Sequence, residues 1–208
     1  MKRLVLFLIL LMNLLCQPVM AQKVTQGQVK QQISQAAAAI KSMQCDFVQT
    51  KQLKMLNDKV VSKGKMYYLQ SDKLRWEYIS PYKYIFILNG SKVQLKNDKR
   101  NDVIDVEKNR VFKEIAQIMM SSVVGDCLND TRSFKTTIAD AKTHWLATLV
   151  PQRREMKQMF NSIKLYFDKK RLMVTRVELI EKNGDKTIIE LKNVKTNGQI
   201  ASSIFAVH

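Results

Sequence analysis

Histidine and cysteine are scarce in this chain, with two His and three Cys in 208 residues. His144 and His208 stand far apart, and no H-E-x-x-H pair marks a zinc hydrolase. There is no G-x-S-x-G elbow, no Gly-rich phosphate loop and no C-x-x-C, so the usual signatures of esterases, nucleotide enzymes and thiol oxidoreductases are missing. Acidic residues are outnumbered, 18 against 35 basic ones. Asp102, Asp105 and Glu107 follow one another along a strand without forming an acid–base pair or a calcium loop. With only six glycines and three prolines, no linker, repeat or low-complexity tract divides the chain. No catalytic residue and no metal ligand is assigned, and no cofactor is expected.

Long apolar runs are absent but for one. Leu4 to Leu15 follows Lys2-Arg3 and precedes Val19-Met20-Ala21, a charged, apolar and small-residue order that reads as an export leader over residues 1–21. The run is shorter than the roughly 20 residues that span a bilayer. Signal-peptide lipidation at Cys16 would favour a small residue before it, and Leu15 occupies that place. The expectation is cleavage after Ala21 and an unlipidated single domain over 22–208. Lys2 and Arg3 leave with the leader, taking the formal charge from +17 to +15. In an exported chain such a charge favours anionic headgroups or an acidic partner over nucleic acid. The basic residues are scattered, mostly at turns, and a solvated basic surface explains them equally well. Cys45 and Cys127 remain after cleavage, and an oxidising compartment leaves a disulfide or two separate buried thiols both open.

The pattern of apolar residues predicts a helix from Thr25 to Met43, with Val29, Ile33, Ala36, Ala37, Ile40 and Met43 on a stripe of roughly 120°. Strands follow, separated by turn pairs at Asn57-Asp58, Ser71-Asp72, Asn89-Gly90 and Asn97-Asp98. In Lys73-Leu-Arg-Trp-Glu-Tyr-Ile-Ser-Pro81, Leu74, Trp76 and Tyr78 alternate with Arg75 and Glu77, which predicts a strand with one buried face. Pro81 ends it. A second helix over Arg110 to Val124 is apolar around roughly 240° of its circumference, so it buries more than one side, either inside a core or as a lid. Beyond Asn129 come strands at Ser133–Ile138, Trp145–Val150, Ser162–Phe167, Leu172–Glu181 and Lys186–Lys192. A short basic helix or excursion lies at Gln152 to Phe160, and Ile204-Phe205 is placed at a sheet edge. Hairpins without crossover helices predict a mainly β, antiparallel sheet.

Phe47, Gln49, Gly64, Trp76, Pro81 and Gly90, in that order and setting, resemble the LolA family, the periplasmic carriers of outer-membrane lipoproteins. The resemblance implies an unclosed antiparallel β-barrel, or strongly curved sheet, around a hydrophobic cavity covered by helices. It implies a non-enzymatic chaperone in the periplasm of a Gram-negative-type bacterium that shuttles lipoprotein acyl chains between membranes. An ATP-driven inner-membrane complex would load it and an outer-membrane acceptor would unload it, with transient membrane-surface contact and a monomeric state. On this resemblance Phe47, Met66, Tyr68, Leu74, Trp76 and Phe86 form the cavity wall, and Ile115, Ile118, Met119 and Val123 the lid. Many members carry a basic residue followed by Pro before the Trp strand, whose Arg helps hold the lid. Gln70 and Ser71 stand there instead, so Gln70 is the expected lid-control residue. Two other readings share the fold: a carrier for another amphiphile, such as a fatty acid or acylated pigment, and a LolB-like acceptor, which would be lipid-anchored. An esterase would need a nucleophile near His144, and the sequence offers none.

Overall fold

The computed structural model describes residues 25–70, 72–108, 120–121 and 126–208. The leader and most of the second predicted helix fall outside the described residues. Eleven strands form one antiparallel sheet: β1 (Ser42–Leu53), β2 (Asp58–Leu69), β3 (Lys73–Ser80), β4 (Tyr84–Asn89), β5 (Lys92–Asn97), β6 (Asn101–Asp105), β7 (Phe134–Ala141), β8 (His144–Pro151), β9 (Phe160–Asp168), β10 (Val174–Glu181) and β11 (Lys186–Thr196). Their order is β6-β5-β4-β3-β2-β1-β11-β10-β9-β8-β7. Two meanders are therefore joined through β1 and β11, while β6 and β7 are left as edges and the barrel does not close.

Helix α1 (Gln26–Ala38) starts at a capping box. The Thr25 hydroxyl accepts from the Gln28 N–H at 3.3 Å, and the Gln28 side-chain oxygen accepts from the Thr25 N–H at 2.8 Å. Val29, Ile33 and Ala37 are its buried face and pack into the same core as the sheet. The helix ends earlier than its periodicity predicts. Ile40 lies beyond it, and Met43 already pairs with Tyr68 in the β1–β2 ladder. Met43 falls on a helical step by coincidence, since its true neighbours on the buried face are Cys45 and Phe47, two and four residues on.

Helix α2 (Arg154–Met159) is the short excursion between β8 and β9. The C-terminal segment is also placed differently from expectation. Ile204 and Phe205 do not form an edge; they lie in a 3-10 turn, Ser202–Phe205, against the outer face of β3 and β4. Arg75 Nη1 donates to the Ile204 carbonyl at 3.3 Å, and Asn89 Nδ2 to the Phe205 carbonyl at 3.1 Å. Gln94 and Asn101 hold the His208 carbonyl at 2.7 and 3.0 Å. The chain is turned there by Asn197, in the left-handed region at φ +58°. Its side-chain oxygen accepts from the Lys41 N–H at 2.8 Å and its amide donates to the Ala39 carbonyl at 3.2 Å.

Candidate functional site

Cross-strand register sorts the first meander into rows on the concave face. Met43, Tyr68, Leu74 and Leu88 form one; Cys45, Met66, Trp76 and Phe86 the next; Phe47, Gly64, Tyr78 and Tyr84 the third. All six residues expected in a cavity wall, Phe47, Met66, Tyr68, Leu74, Trp76 and Phe86, lie on this face and in one apolar cluster, none more than 7% exposed. Sequence reasoning assigned the wall to this half alone. The same buried cluster also takes Leu149, Leu165, Phe167 and Ile138 from the second meander, with Val29 and Ile33 from α1. The signal was present in the alternation of Ile163, Leu165 and Phe167.

Phe47, Gly64 and Trp76 of the signature meet at one point, whereas Gly90 lies in the β4–β5 turn against Asp72. The Phe47 ring stacks on Trp76 with centroids 4.4 Å apart and meets the edge of Tyr78 at 5.2 Å. Gly64 lies beneath it. A Cβ there would stand 2.5 Å from Phe47 Cζ and 2.0 Å from the Glu77 carbonyl oxygen, so only glycine fits. The Tyr78 hydroxyl donates to Gln49 Oε1 at 2.9 Å. Burial, with Tyr82 as a second cause, pushes its pKa up to about 12. Ser80-Pro81 is a cis peptide that carries Tyr82 back over Tyr78, at 5.8 Å between rings. The buried indole Nε1 of Trp76 has no hydrogen-bond partner among the described residues.

From the Trp76 row towards the end of the sheet that carries the β1–β2 turn, the concave face changes from apolar to polar. Beyond Phe47 stand Gln49, half-buried and bonded to Tyr78, and then Lys51. Lys51 Nζ lies 3.3 Å from Glu181 Oε1 and 4.0 Å from Asp185 Oδ2, and Thr187 Oγ1 donates to Glu181 at 3.2 Å. The face thus has an apolar floor and a polar lip, a gradient that suits an amphiphile.

The lid residues Ile115, Ile118, Met119 and Val123 lie outside the described residues. Met120 beside them is half-buried and packs on the core cluster. Gln70 sits in the β2–β3 turn, its backbone N–H donating to the Lys41 carbonyl at 2.8 Å. Its side chain is exposed, and no hydrogen bond from it is seen among the described residues. Cys45 and Cys127 are both buried and are not joined in a disulfide. Cys45 faces the core from β1, whereas Cys127 belongs to the 3-10 turn Asp126–Asn129. Burial, reinforced by Asp46, pushes the Cys45 thiol up to about 12.

His144 opens β8 beside Tyr166, with ring centroids 4.9 Å apart, and its Nδ1 lies 3.0 Å from Thr143 Oγ1. It stands at the start of the strand next to the β7 edge, on the face away from the apolar floor. Among the described residues no group of three His, Cys, Asp or Glu side chains is placed to hold a metal ion.

The sequence profile of the family described as outer membrane lipoprotein carrier protein LolA matches residues 38–208. An outer-membrane lipoprotein carrier protein of Coxiella burnetii (strain CbuK_Q154) is 30% identical over 156 residues, which cover 71% of this chain and 68% of that relative. One from Chromohalobacter salexigens is 26% identical over 145 residues, covering 69% and 65%. Among solved structures, an uncharacterized conserved protein from Thermus thermophilus superposes with a TM-score of 0.53 at 10% identity, over 86% of this chain and 93% of that one. The Pseudomonas aeruginosa MucA/MucB complex gives 0.51 at 10% identity, over 88% and 61%. At such identities the likeness is one of fold alone.

Proposed function

Because this chain belongs to the LolA family of outer membrane lipoprotein carrier proteins, we propose that it is a periplasmic carrier that holds lipoprotein acyl chains against its concave face. The observation that supports this most is the wall itself. Six large side chains from four adjacent strands make one buried apolar cluster, and it gives way to a polar lip at one end. Acyl chains would lie over Phe47, Met66 and Trp76. The polar head would meet Gln49, Tyr78 and Lys51.

Such a protein performs no reaction; its task is a balance of transfer energies. A buried methylene is worth about 0.8 kcal/mol, so a sixteen-carbon chain represents roughly 12 kcal/mol in a membrane. The wall must offer about that much and no more if the chain is to be passed on. Elements over residues 110–124 serve as the displaceable cover in this reading. Loading by an ATP-driven complex, unloading to an outer-membrane acceptor and transient contact with the membrane surface complete the cycle.

A fluorescent diacyl lipid probe tests the wall. Trp76→Glu is expected to weaken probe binding at least tenfold, because a carboxylate beside acyl chains is costly to desolvate. Arg75 makes a poor control, since it bonds Glu77 at 2.9 Å and the Ile204 carbonyl at 3.3 Å. Lys63→Glu, exposed on the outer face of β2, is the better one and should leave binding unchanged. Equal losses from both variants would refute the assignment.

A further inference from the structure

The β1–β2 hairpin ends in Lys54-Met-Leu-Asn57, and its two apolar residues face solvent, Met55 at 92% and Leu56 at 71% exposure. A hairpin tip ordinarily carries Asn, Asp or Gly. Here Asn57, at φ +47°, and Asp58 fill that role, and Met55 and Leu56 do not. Further down the same hairpin Val60 and Val61 are also exposed. Ile79 and Tyr82, each 50% exposed, stand at the end of β3 and in the following loop. Val150 and Met159 lie at this end of the second meander. Of the large apolar side chains most exposed among the described residues, only Val103 is elsewhere. Single exposed apolar residues need no explanation, but their collection at one end of the sheet does.

The tip projects and its base is fixed. β2 pairs with β3 only from Lys63, opposite Ser80, so residues 58–62 stand beyond the end of β3 by roughly 16 Å at about 3.3 Å per residue. At the base, the Lys54 N–H donates to Asp185 Oδ1 at 3.0 Å, and Lys51 pairs with Glu181 at 3.3 Å. The Lys54 stem crosses Gly184 so closely that a Cβ there would lie 2.5 Å from its Cδ. Gly184 is also at φ +89°, where a side chain would be strained. The β10–β11 turn thus clasps the hairpin below Met55 and leaves the tip uncovered.

Charge identifies the occupant. Lys54, Lys59, Lys83 and Lys182 are exposed around this end, and none has an ion pair among the described residues. The acid at the tip is Asp58, whose Oδ1 accepts the Lys59 N–H at 2.7 Å. Two adjacent apolar side chains among free lysines match a surface of anionic headgroups over acyl chains. A second copy of this chain, itself at +17, would be repelled.

We infer that the β1–β2 hairpin is a membrane-docking element that seats Met55 and Leu56 among anionic lipid headgroups. The inference rests on the carrier reading for its purpose, since it places the polar lip beside the membrane from which cargo comes or to which it goes. Its test needs no cargo.

Flotation with phosphatidylcholine vesicles, with and without about one-third phosphatidylglycerol, measures it directly. Wild type is expected to float at least tenfold more strongly with the anionic vesicles, and this preference should weaken with salt. Met55→Ser with Leu56→Ser should cut anionic-vesicle binding at least tenfold while leaving the melting temperature and binding of the fluorescent lipid probe unchanged. Lys59→Glu with Lys83→Glu should abolish the preference for anionic vesicles. Failure of wild type to float with either vesicle, or full flotation of the Met55/Leu56 variant, would overturn the inference. So would loss of vesicle and probe binding together, which would make the tip part of the cavity. A wild-type protein that floats but binds no probe would refute the carrier reading and leave the docking element standing.

Discussion

Gly64→Ala is the smallest change that tests how the wall is built. The added Cβ would stand 2.0 Å from the Glu77 carbonyl oxygen and 2.5 Å from the Phe47 ring. The ring can swing away, but the carbonyl belongs to the β2–β3 ladder, in the very step where the register shifts between Lys63 and Gly64. Overpacking of this kind costs about 1–3 kcal/mol. Displacing Phe47 also gives up its 4.4 Å stack on Trp76, worth about 0.5–1.5 kcal/mol. Together they come to about 3 kcal/mol, or roughly 6–12 °C at the 2–4 °C per kcal/mol of a domain this size. Differential scanning calorimetry reads the shift, and probe binding should fall with it because Phe47 and Trp76 both belong to the proposed acyl-chain wall. The backbone clash also predicts that Gly64→Ala still destabilises in a Phe47→Ala background. A melting temperature within about 1 °C of wild type would refute the reasoning.

Other expectations follow from the same geometry. Glu178 is buried on the outer face, with Lys186 Nζ at 2.9 Å, the Tyr166 hydroxyl at 2.9 Å and Arg176 at 2.5 Å. Burial alone would raise its pKa, but Lys186, Tyr166 and Arg176 outweigh it and hold the carboxyl below its ordinary value. A depressed folded-state pKa gives stability that is complete above the unfolded value and is lost as pH falls through the folded one. Thermal melts should therefore show an acid loss that Glu178→Gln removes, and identical pH profiles would contradict this. Cys45, with its thiol pushed up to about 12, should resist a thiol reagent at pH 8 until the protein is unfolded; rapid labelling of the native state would count against the burial described. For the cover, Met119→Ala should bind the lipid probe more tightly with little change in melting temperature, because a more easily displaced lid leaves more of the population open. Weaker binding with a large loss of stability would make that segment ordinary core.

Much of the buried face is legible because a strand's period is two and one face is buried. Leu74, Trp76 and Tyr78 fix the inward face of β3, and the ladder carries it to Met66 and Phe86. What local patterns could not supply was anything set by register or by tertiary placement. The clasp of Phe47 over Gly64 joins residues seventeen apart that only the β1–β2 pairing brings face to face. The length of the hairpin beyond β3 depends on where pairing stops, and no residue near Val60 announces that. Ile204 and Phe205 look like strand residues, yet Asn197 turns the chain so that they cover the outer face. The predicted helix ran on to Met43 because apolar spacing of three and four continued by chance into β1. Gln70 was singled out by position in a motif, and position alone did not give its side chain a partner.

In the proposed function the concave face holds the acyl chains of lipoproteins. The most direct measurement is mass spectrometry of what co-purifies when the protein is isolated from the periplasm of cells without detergent. The carrier reading predicts acylated lipoprotein bound to the wild type and lost from Trp76→Glu. Free fatty acid or another small amphiphile in its place, or nothing that Trp76→Glu removes, would contradict it.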